Sequence, residues 1–341
     1  MTVRTVDLAV VGATGLVGEA VIAVLAERSF PVGELHLLAT ADSEGRRIDF
    51  RGRSVRVQAL DGFDFSRVPL AVFAAGQDVA AEHAPRAADA GCLVVDHSSR
   101  FRHEPDVPLV VPEVNAAELA LCGERRLVAN PNCSTIQLVV ALKPLYDAAG
   151  LERVNVATYQ SVSGGGRALI EALSTQTARL MNGLPLELPP ATKQIAFNVL
   201  PQIDGFEPNG YTREEMKIVR ETRRIFDEPE LRVNATAVRV PVFYGHSEAV
   251  QIETIRPLAA DEARALLARA PGVCVLDDCS ASVYPTAVTE AANCDTVFVG
   301  RIREDMSHPR GLNLWIVADN VRKGAATNSV QILEILAKDY L

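Results

Sequence analysis

Val6-Asp7-Leu8-Ala9-Val10-Val11-Gly12-Ala13-Thr14-Gly15-Leu16-Val17-Gly18 decides the fold of the N-terminal part of the chain. Val6 to Val11 is an apolar strand pattern broken only by Asp7, and Glu19 to Arg28 has helical periodicity, so the glycines occupy a strand-to-helix turn. Such a turn suits a dinucleotide for three separate reasons. Gly12 permits the tight turn, Gly15 lets backbone approach a pyrophosphate, and Gly18 allows close helix–sheet packing. The first gap is one residue longer than in the usual Gly-x-Gly-x-x-Gly, and a glycine turn alone can be purely structural. The strand before it and the helix after it favour nucleotide binding.

Further strand patterns follow at Leu35 to Ala39, Leu70 to Ala75 and Cys92 to Asp96, with an Ala-rich helical stretch from Val79 to Ala90. Strands alternating with helices predict βαβ units around a parallel sheet, with a small hairpin inserted around Ser54 to Val57. Residues 1–129 therefore read as a Rossmann-type α/β domain. The pattern then changes. Val154 to Val162, Val233 to Phe243, Ala249 to Arg256 and Thr296 to Arg303 read as long strands of a mostly antiparallel sheet. Leu169 to Met181, Arg213 to Ile225 and Ala260 to Ala270 are helical patterns, and Gly324 to Tyr340 is an amphipathic C-terminal helix. The second part is thus an α+β domain beginning at Asn130.

With 341 residues the chain accommodates two cores, and 48% hydrophobic and 23% charged residues are ordinary for a globular enzyme. The net charge of -9 argues against a nucleic-acid partner. No apolar run reaches the roughly 20 residues that span a bilayer. Met1 to Thr5 lead into the first strand without a signal-peptide core, which predicts a cytoplasmic protein. Six cysteines with no Cys-x-x-Cys pair suit neither a disulfide scaffold nor a zinc cluster, so no metal is expected. Cys274, Cys279 and Cys294 read as reduced structural thiols, with a metal site as the remote alternative.

Asn130-Pro131-Asn132-Cys133-Ser134-Thr135 carries the chemistry. Leu127-Val128-Ala129 runs into a rigid Asn-Pro turn, Cys133 follows, and Ile136 to Leu142 reads as a helix. A thiol at a helix N-terminus feels the positive end of the macrodipole, which favours its thiolate. A free cysteine is ordinarily a small buried hydrophobe, but this one stands at a domain boundary, a usual place for a cleft. Gly245-His246-Ser247 supplies an imidazole able to exchange a proton.

Over nearly its whole length the chain resembles the aspartate-β-semialdehyde dehydrogenases. The resemblance lies in GATGLVG (12–18), SSRFR (98–102), VPLVVPEVN (107–115), NPNCSTIQ (130–137) and YQSVSGGGR (159–167). GYTREEMK (210–217), RVPVFYGHS (239–247), VGRIRED (299–305) and DNVRKGAATNSVQ (319–331) continue it in order. It implies reversible, phosphate-dependent oxidation of L-aspartate 4-semialdehyde to 4-aspartyl phosphate with NADP, on the route to lysine, threonine and methionine. It also implies that Cys133 forms an acyl-thioester, His246 is the acid/base, and Gln160 orients the substrate or intermediate. Arg239 and Glu214 match substrate-binding positions, and Arg102 and Lys217 match phosphate contacts. Cofactor positions fall on Gly12, Ala13, Thr14, Gly15, Leu16, Thr40, Ala41, Ser163, Gly164 and Asn320. The second domain, 130–319, becomes the catalytic and dimerisation domain, with 320–341 returning to the first; a homodimer is expected, and some relatives form tetramers.

The chemistry supports these roles. Thiolate addition to an aldehyde gives a hemithioacetal, loss of hydride gives a thioester, and phosphate must then attack. The site thus needs cations for a carboxylate and for phosphate, which arginine and lysine supply. Cofactor choice is mixed. Ala39-Thr40 leaves room for a 2′-phosphate and Arg46 or Arg47 could reach it, but Asp42 stands where many relatives carry arginine. NADP is expected, with NAD as a weaker alternative. N-Acetyl-γ-glutamyl-phosphate reductases run analogous chemistry, but they typically carry Gly before and Tyr after the nucleophile, against Asn132 and Ser134 here. A catalytically silent relative would be expected to lose Cys133, His246 or Arg239, and all are present.

Overall fold

The computed structural model describes residues 5–123, 125–190 and 192–341; Met1 to Arg4, within the stretch read as lacking a signal peptide, lie outside the described residues. The chain runs β1 (Val6–Val11), α1 (Leu16–Glu27), β2 (Val32–Ala39), β3 (Arg47–Phe50), β4 (Arg53–Ala59), β5 (Leu70–Phe73), α2 (Gln77–Asp89), β6 (Leu93–Asp96), α3 (Pro112–Asn115) and β7 (Leu127–Ala129). It continues through α4 (Cys133–Ala149), β8 (Leu151–Gln160), α5 (Arg167–Met181), α6 (Arg213–Ile225), β9 (Arg232–Arg239) and β10 (His246–Thr254). It ends with α7 (Ala260–Leu267), β11 (Val273–Val275), β12 (Val297–Glu304), β13 (Gly311–Ala318) and α8 (Thr327–Asp339). Two compact units result, residues 1–132 with 325–341, and residues 133–324. Both crossings fall a few residues beyond the expected positions at 130 and 320.

The first unit holds a seven-stranded sheet in the order β3-β4-β2-β1-β5-β6-β7. All its pairings are parallel except the β3–β4 hairpin, the insertion anticipated around Ser54. Val21 and Leu25 of α1 share a buried core with Leu8 and Val10 of β1 and with Val330, Leu333 and Leu336 of α8. Each such side chain contributes about 1.5–3 kcal/mol on burial. An Arg28–Glu334 ion pair at 2.7 Å joins α1 to α8 at the surface. The helix expected from Gly324 is preceded by a π-type turn over Arg322–Ala326, with regular α-helix from Thr327.

Two glycines of the turn are obligatory. Gly12 has φ +78°, and a Cβ there would meet the Ala74 carbonyl oxygen at 2.4 Å. A Cβ on Gly18 would lie 2.1 Å from the Gly12 oxygen, so the first turn of α1 can lie on the loop only without a side chain there.

The second unit holds a six-stranded mixed sheet in the order β11-β12-β13-β10-β8-β9. Antiparallel pairings are the majority: β12–β13, β13–β10 and β10–β8, against parallel β11–β12 and β8–β9. α4 packs on one face, burying Ile136, Val139, Val140 and Leu142 on the side where Val154, Val156, Val250 and Leu314 are buried. It is longer than the Ile136 to Leu142 pattern and starts at Cys133 itself. β9 ends at Arg239, short of the expected Phe243, because Pro241 offers no N–H and Gly245 turns the chain at φ +86°. β10 accordingly starts at His246, before the expected Ala249. No helix among the described residues is long and apolar enough to cross a membrane.

Candidate active site

Three strand termini bring the predicted residues together. β8 ends at Gln160 beside the end of its parallel neighbour β9 at Arg239, in direct register. β10 is antiparallel to β8, so its first residue, His246, lies at the same edge of the sheet. α4 crosses the inner face with Cys133 at its N-terminus, and Ser134 Oγ accepts a hydrogen bond of 2.9 Å from Gln160 Nε2. Gln160 Nε2 also approaches Glu214 Oε1 at 3.3 Å. Glu214 in turn accepts at Oε2 from Lys217 Nζ at 3.0 Å, and Lys217 reaches Asp204 at 3.2 Å.

Local sequence holds α6 in place. Thr212 and Glu215 form a capping box at its N-terminus, and Glu215 Oε1 accepts from the Ala237 amide of β9 at 2.9 Å. Glu214 is therefore presented from a helix end fastened to the strand that carries Arg239. Arg239 is buried and donates from Nη1 to the Ser161 carbonyl at 2.5 Å. Burial draws its guanidinium below the ordinary arginine value, against the pull of Glu214 and Cys133. Burial also opposes the charge on Lys217, but Glu214 and Asp204 outweigh it and hold its ammonium above the usual lysine value.

His246 is fully buried, and Nδ1 accepts from the Ser161 amide at 3.1 Å, with the Ser161 hydroxyl also at 3.1 Å. Burial, reinforced by Arg239, lowers its pKa to about 3, so the ring is neutral at physiological pH. Asn320 Oδ1 accepts from Ser161 Oγ, Ser163 Oγ and the Gly245 amide, each at 3.0 Å. Asn320 and Ser163, expected as cofactor positions, thus also brace the histidine loop. Gly164 lies against the same groups: a Cβ there would stand 3.1 Å from Arg239 Nη1 and 3.4 Å from His246 Nε2. Behind Cys133, a Cβ on Gly324 would meet the cysteine Cβ at 2.9 Å.

The remaining predicted positions belong to the first unit. A cavity of about 210 Å³ is lined by Gly12, Thr14, Gly15, Ala39, Thr40 and Ala74, among others. It lies beyond the C-terminal ends of β1 and β5, where the strand order reverses, the usual crevice for a dinucleotide. The absent side chains of Gly12 and Gly18 keep backbone close there, so the residues present fit such a ligand. Ala13 is buried, Leu16 opens α1, and Ala41 begins a short turn carrying exposed Asp42. Arg102 is also in this unit, where Nη2 donates to the His97 carbonyl at 2.7 Å. Asn130 is anchored by Asn328 Nδ2 at 2.8 Å, fixing the turn that leads to the cysteine.

Ser161, Asp204 and Glu215 were not singled out from sequence, and Ser134 was used only to separate two families, not as a partner of Gln160. Ser134, Ser161 and Glu215 lie inside quoted motifs, so their signal was present, and Glu215 matters through a capping contact; Asp204 lies outside them. Cys274 and Cys294 are partly buried free thiols, and Cys279 is exposed.

Comparison with known proteins follows the same division. A family profile described as semialdehyde dehydrogenase, NAD binding domain, matches residues 7–122, and one described as semialdehyde dehydrogenase, dimerisation domain, matches residues 142–323. Aspartate-semialdehyde dehydrogenase of Legionella pneumophila is 58% identical over 99% of this chain and 97% of its own. The Aquifex aeolicus enzyme is 50% identical over 98% of both chains. The crystal structure of aspartate-semialdehyde dehydrogenase II from Vibrio cholerae superposes with a TM-score of 0.97 at 54% identity, covering 99% of this chain and all of that one. A second structure of that enzyme is a complex with ASA, at 53% identity and the same TM-score and coverage. With its fold, its motifs and full-length identities of this size in agreement, the chain belongs to the aspartate-semialdehyde dehydrogenase family.

Proposed function

We propose that this chain catalyses the reversible, phosphate-dependent interconversion of L-aspartate 4-semialdehyde and 4-aspartyl phosphate, as a cytoplasmic homodimer using NADP in preference to NAD. Its place is in the synthesis of lysine, threonine and methionine. The observation that carries the reading is the grouping, in one unit, of a cysteine at a helix start with Gln160, Glu214, Lys217, Arg239 and His246.

Cys133 adds to the aldehyde carbon and holds the acyl group as a thioester. Arg239 takes the substrate carboxylate, and Glu214, an anion beside it, suits the substrate ammonium. Gln160, held between Ser134 and Glu214, orients the bound chain. Lys217 supplies a cation for phosphate; for Arg102 the support is the motif alone. His246 serves the reacting oxygen. When bound, the dinucleotide provides the hydride chemistry, and the glycine turn, Thr40 and Ala41 favour it in the first unit. Purified protein should form NADPH from the semialdehyde only when phosphate is present. Turnover of N-acetylglutamate semialdehyde, with none of aspartate semialdehyde, would overturn the assignment in favour of the related reductase.

A further inference from the structure

We propose that Gln137 and Glu248 are a positioning pair that fixes the first turn of α4, and with it Cys133, against the sheet edge that carries Gln160 and His246. The inference deepens the functional reading above and rests on it for Cys133 as the nucleophile.

The inner face of the sheet turns polar before it reaches the reacting groups. Moving toward the site, Val156 faces Val250, Thr158 faces Glu248, and Gln160 and His246 stand at the strand ends. All six are buried. Gln160 Nε2 donates back to Thr158 Oγ1 at 3.3 Å. Glu248 thus occupies the second inward place of β10, where a residue like Val250 would pack without cost. A carboxyl buried there is costly unless another group bonds it, and apolar packing in its place is often neutral or stabilising.

The bonding group comes from α4. Gln137 is fully buried, hydrogen-bonds the Glu248 carboxyl and places Nε2 3.5 Å from the His246 carbonyl. Burial keeps the Glu248 carboxyl protonated well above the usual carboxylate range, so it has a proton to donate. Gln137 Oε1, otherwise without a hydrogen-bond partner, can accept it. An acid and a primary amide each offer one donor and one acceptor to the other. Gln137 lies one turn after Cys133 on the same side of the helix, and three residues after Ser134, which accepts from Gln160 at 2.9 Å. Ser134 therefore fastens the start of α4 to β8, and Gln137 fastens it to β10.

Directional bonds do here what apolar contacts cannot. A repacked apolar core loses its unique arrangement before it loses stability. Hydrogen bonds weaken steeply when misaligned, so two of them on one helix face fix its rotation and its advance along the sheet. The reacting sulfur is held at the head of that helix. A misplacement of about 1 Å at a reacting centre costs about 10²-fold in rate. Gln137 and Glu248 act through this placement and need not touch the substrate.

The test separates placement from stability. Gln137→Leu with Glu248→Leu exchanges the polar pair for apolar groups of similar size, and Tm should equal or exceed that of wild type. The same variant should lose about 10–100-fold in kcat, with the semialdehyde KM changed by less than about twofold. Glu248→Gln keeps a donor and an acceptor at the site and should retain kcat within about threefold of wild type. Independently of turnover, alkylation of Cys133 by iodoacetamide can be followed by mass spectrometry of its own peptide. Its rate should fall by about threefold or more in the leucine pair, as the thiol leaves its alignment with Arg239, and should be kept in Glu248→Gln. A leucine pair with wild-type kcat and alkylation would overturn the proposal. A kcat loss matched by a fall in Tm, or an equal loss in Glu248→Gln, would do the same, making the pair an ordinary part of the core. Wild-type protein inactive on the semialdehyde, with alkylation still slowed in the leucine pair, would remove the functional reading and leave the positioning standing.

Discussion

A thiol reacts through its thiolate, and Cys133 has the surroundings for one: the first residue of α4, electrostatically coupled to Arg239. Cys133→Ala should abolish turnover with the fold retained, and Cys133→Ser should leave at most a trace. Mass spectrometry of enzyme trapped with substrate and cofactor should place the adduct on Cys133; an adduct on any other cysteine contradicts the role. Glu248 makes a different demand. It is fully buried, and burial, partly offset by a side-chain hydrogen bond with Gln137, pushes its pKa well above the usual value. Below about pH 4.5 the group is protonated in folded and unfolded chains alike, so it costs nothing there. As pH rises above that, only the unfolded chain ionises, and stability falls by up to about 1.4 kcal/mol per pH unit until the folded group titrates. Glu248→Gln should therefore gain in Tm over wild type more at pH 8 than at pH 5. A gain equal at both pH values would mean that the carboxyl is ionised in the folded protein. Sequence motifs supplied the reactive residue types at this scale. They did not supply the Ser161 contact or the burial of Glu248, because both depend on which residues face one another across strands.

The elements explain why separate anion contacts are expected. Arg239 sits at a strand end and Lys217 on a helix, joined through Glu214. Arg239→Leu should raise the semialdehyde KM with a smaller change for phosphate, and Lys217→Met should do the reverse. Equal effects on both ligands from each substitution would merge the two sites. In the proposed reading the turn after β2 sets the choice of cofactor. Thr40 and Ala41 are small and exposed, whereas Asp42 is an exposed carboxylate that repels a 2′-phosphate. NADP should still be preferred, with measurable activity on NAD, and Asp42→Arg should raise the NADP:NAD ratio of kcat/KM by at least about fivefold, the effect of roughly 1 kcal/mol at a solvated site. A wild-type ratio favouring NAD would give Asp42 control of the pocket. Strong periodicity made most elements legible, including the glycine turn, α6 and the parallel strands. β13 was not, because Trp315 and Val317 place apolar residues on its second face and mask the alternation. β11 has only three residues and carries too little pattern to read.

On the scale of the molecule, the sheet of the second unit is covered unequally. α4 buries one face, where Val154, Val156, Val250 and Leu314 are enclosed. Residues of the opposite phase include Asn155, Tyr159, Asn234, Gln251 and Trp315, and none of them is buried. Tyr159 and Trp315 pack with ring centroids 5.5 Å apart, and a cavity of about 480 Å³ is bordered by Val242, Tyr284, Val288 and Trp315. Val288 is 68% exposed and Tyr284 50%. Exposed aromatic and aliphatic groups grouped beside polar strands have the composition of a protein interface, with an apolar centre and a polar surround. Homo-oligomers are most often two-fold dimers, in which one patch meets its own copy. The family profile for a dimerisation domain covers this unit from residue 142 to 323. The expected state is therefore a homodimer closed across this face, and light scattering at micromolar concentration should give about twice the 36.7 kDa chain mass. Val288→Glu with Trp315→Glu should shift the protein toward monomer, because each carboxylate would have to be desolvated at the interface. A wild-type particle of chain mass would refute the dimer. A doubly substituted protein that remains dimeric would move the interface to another face.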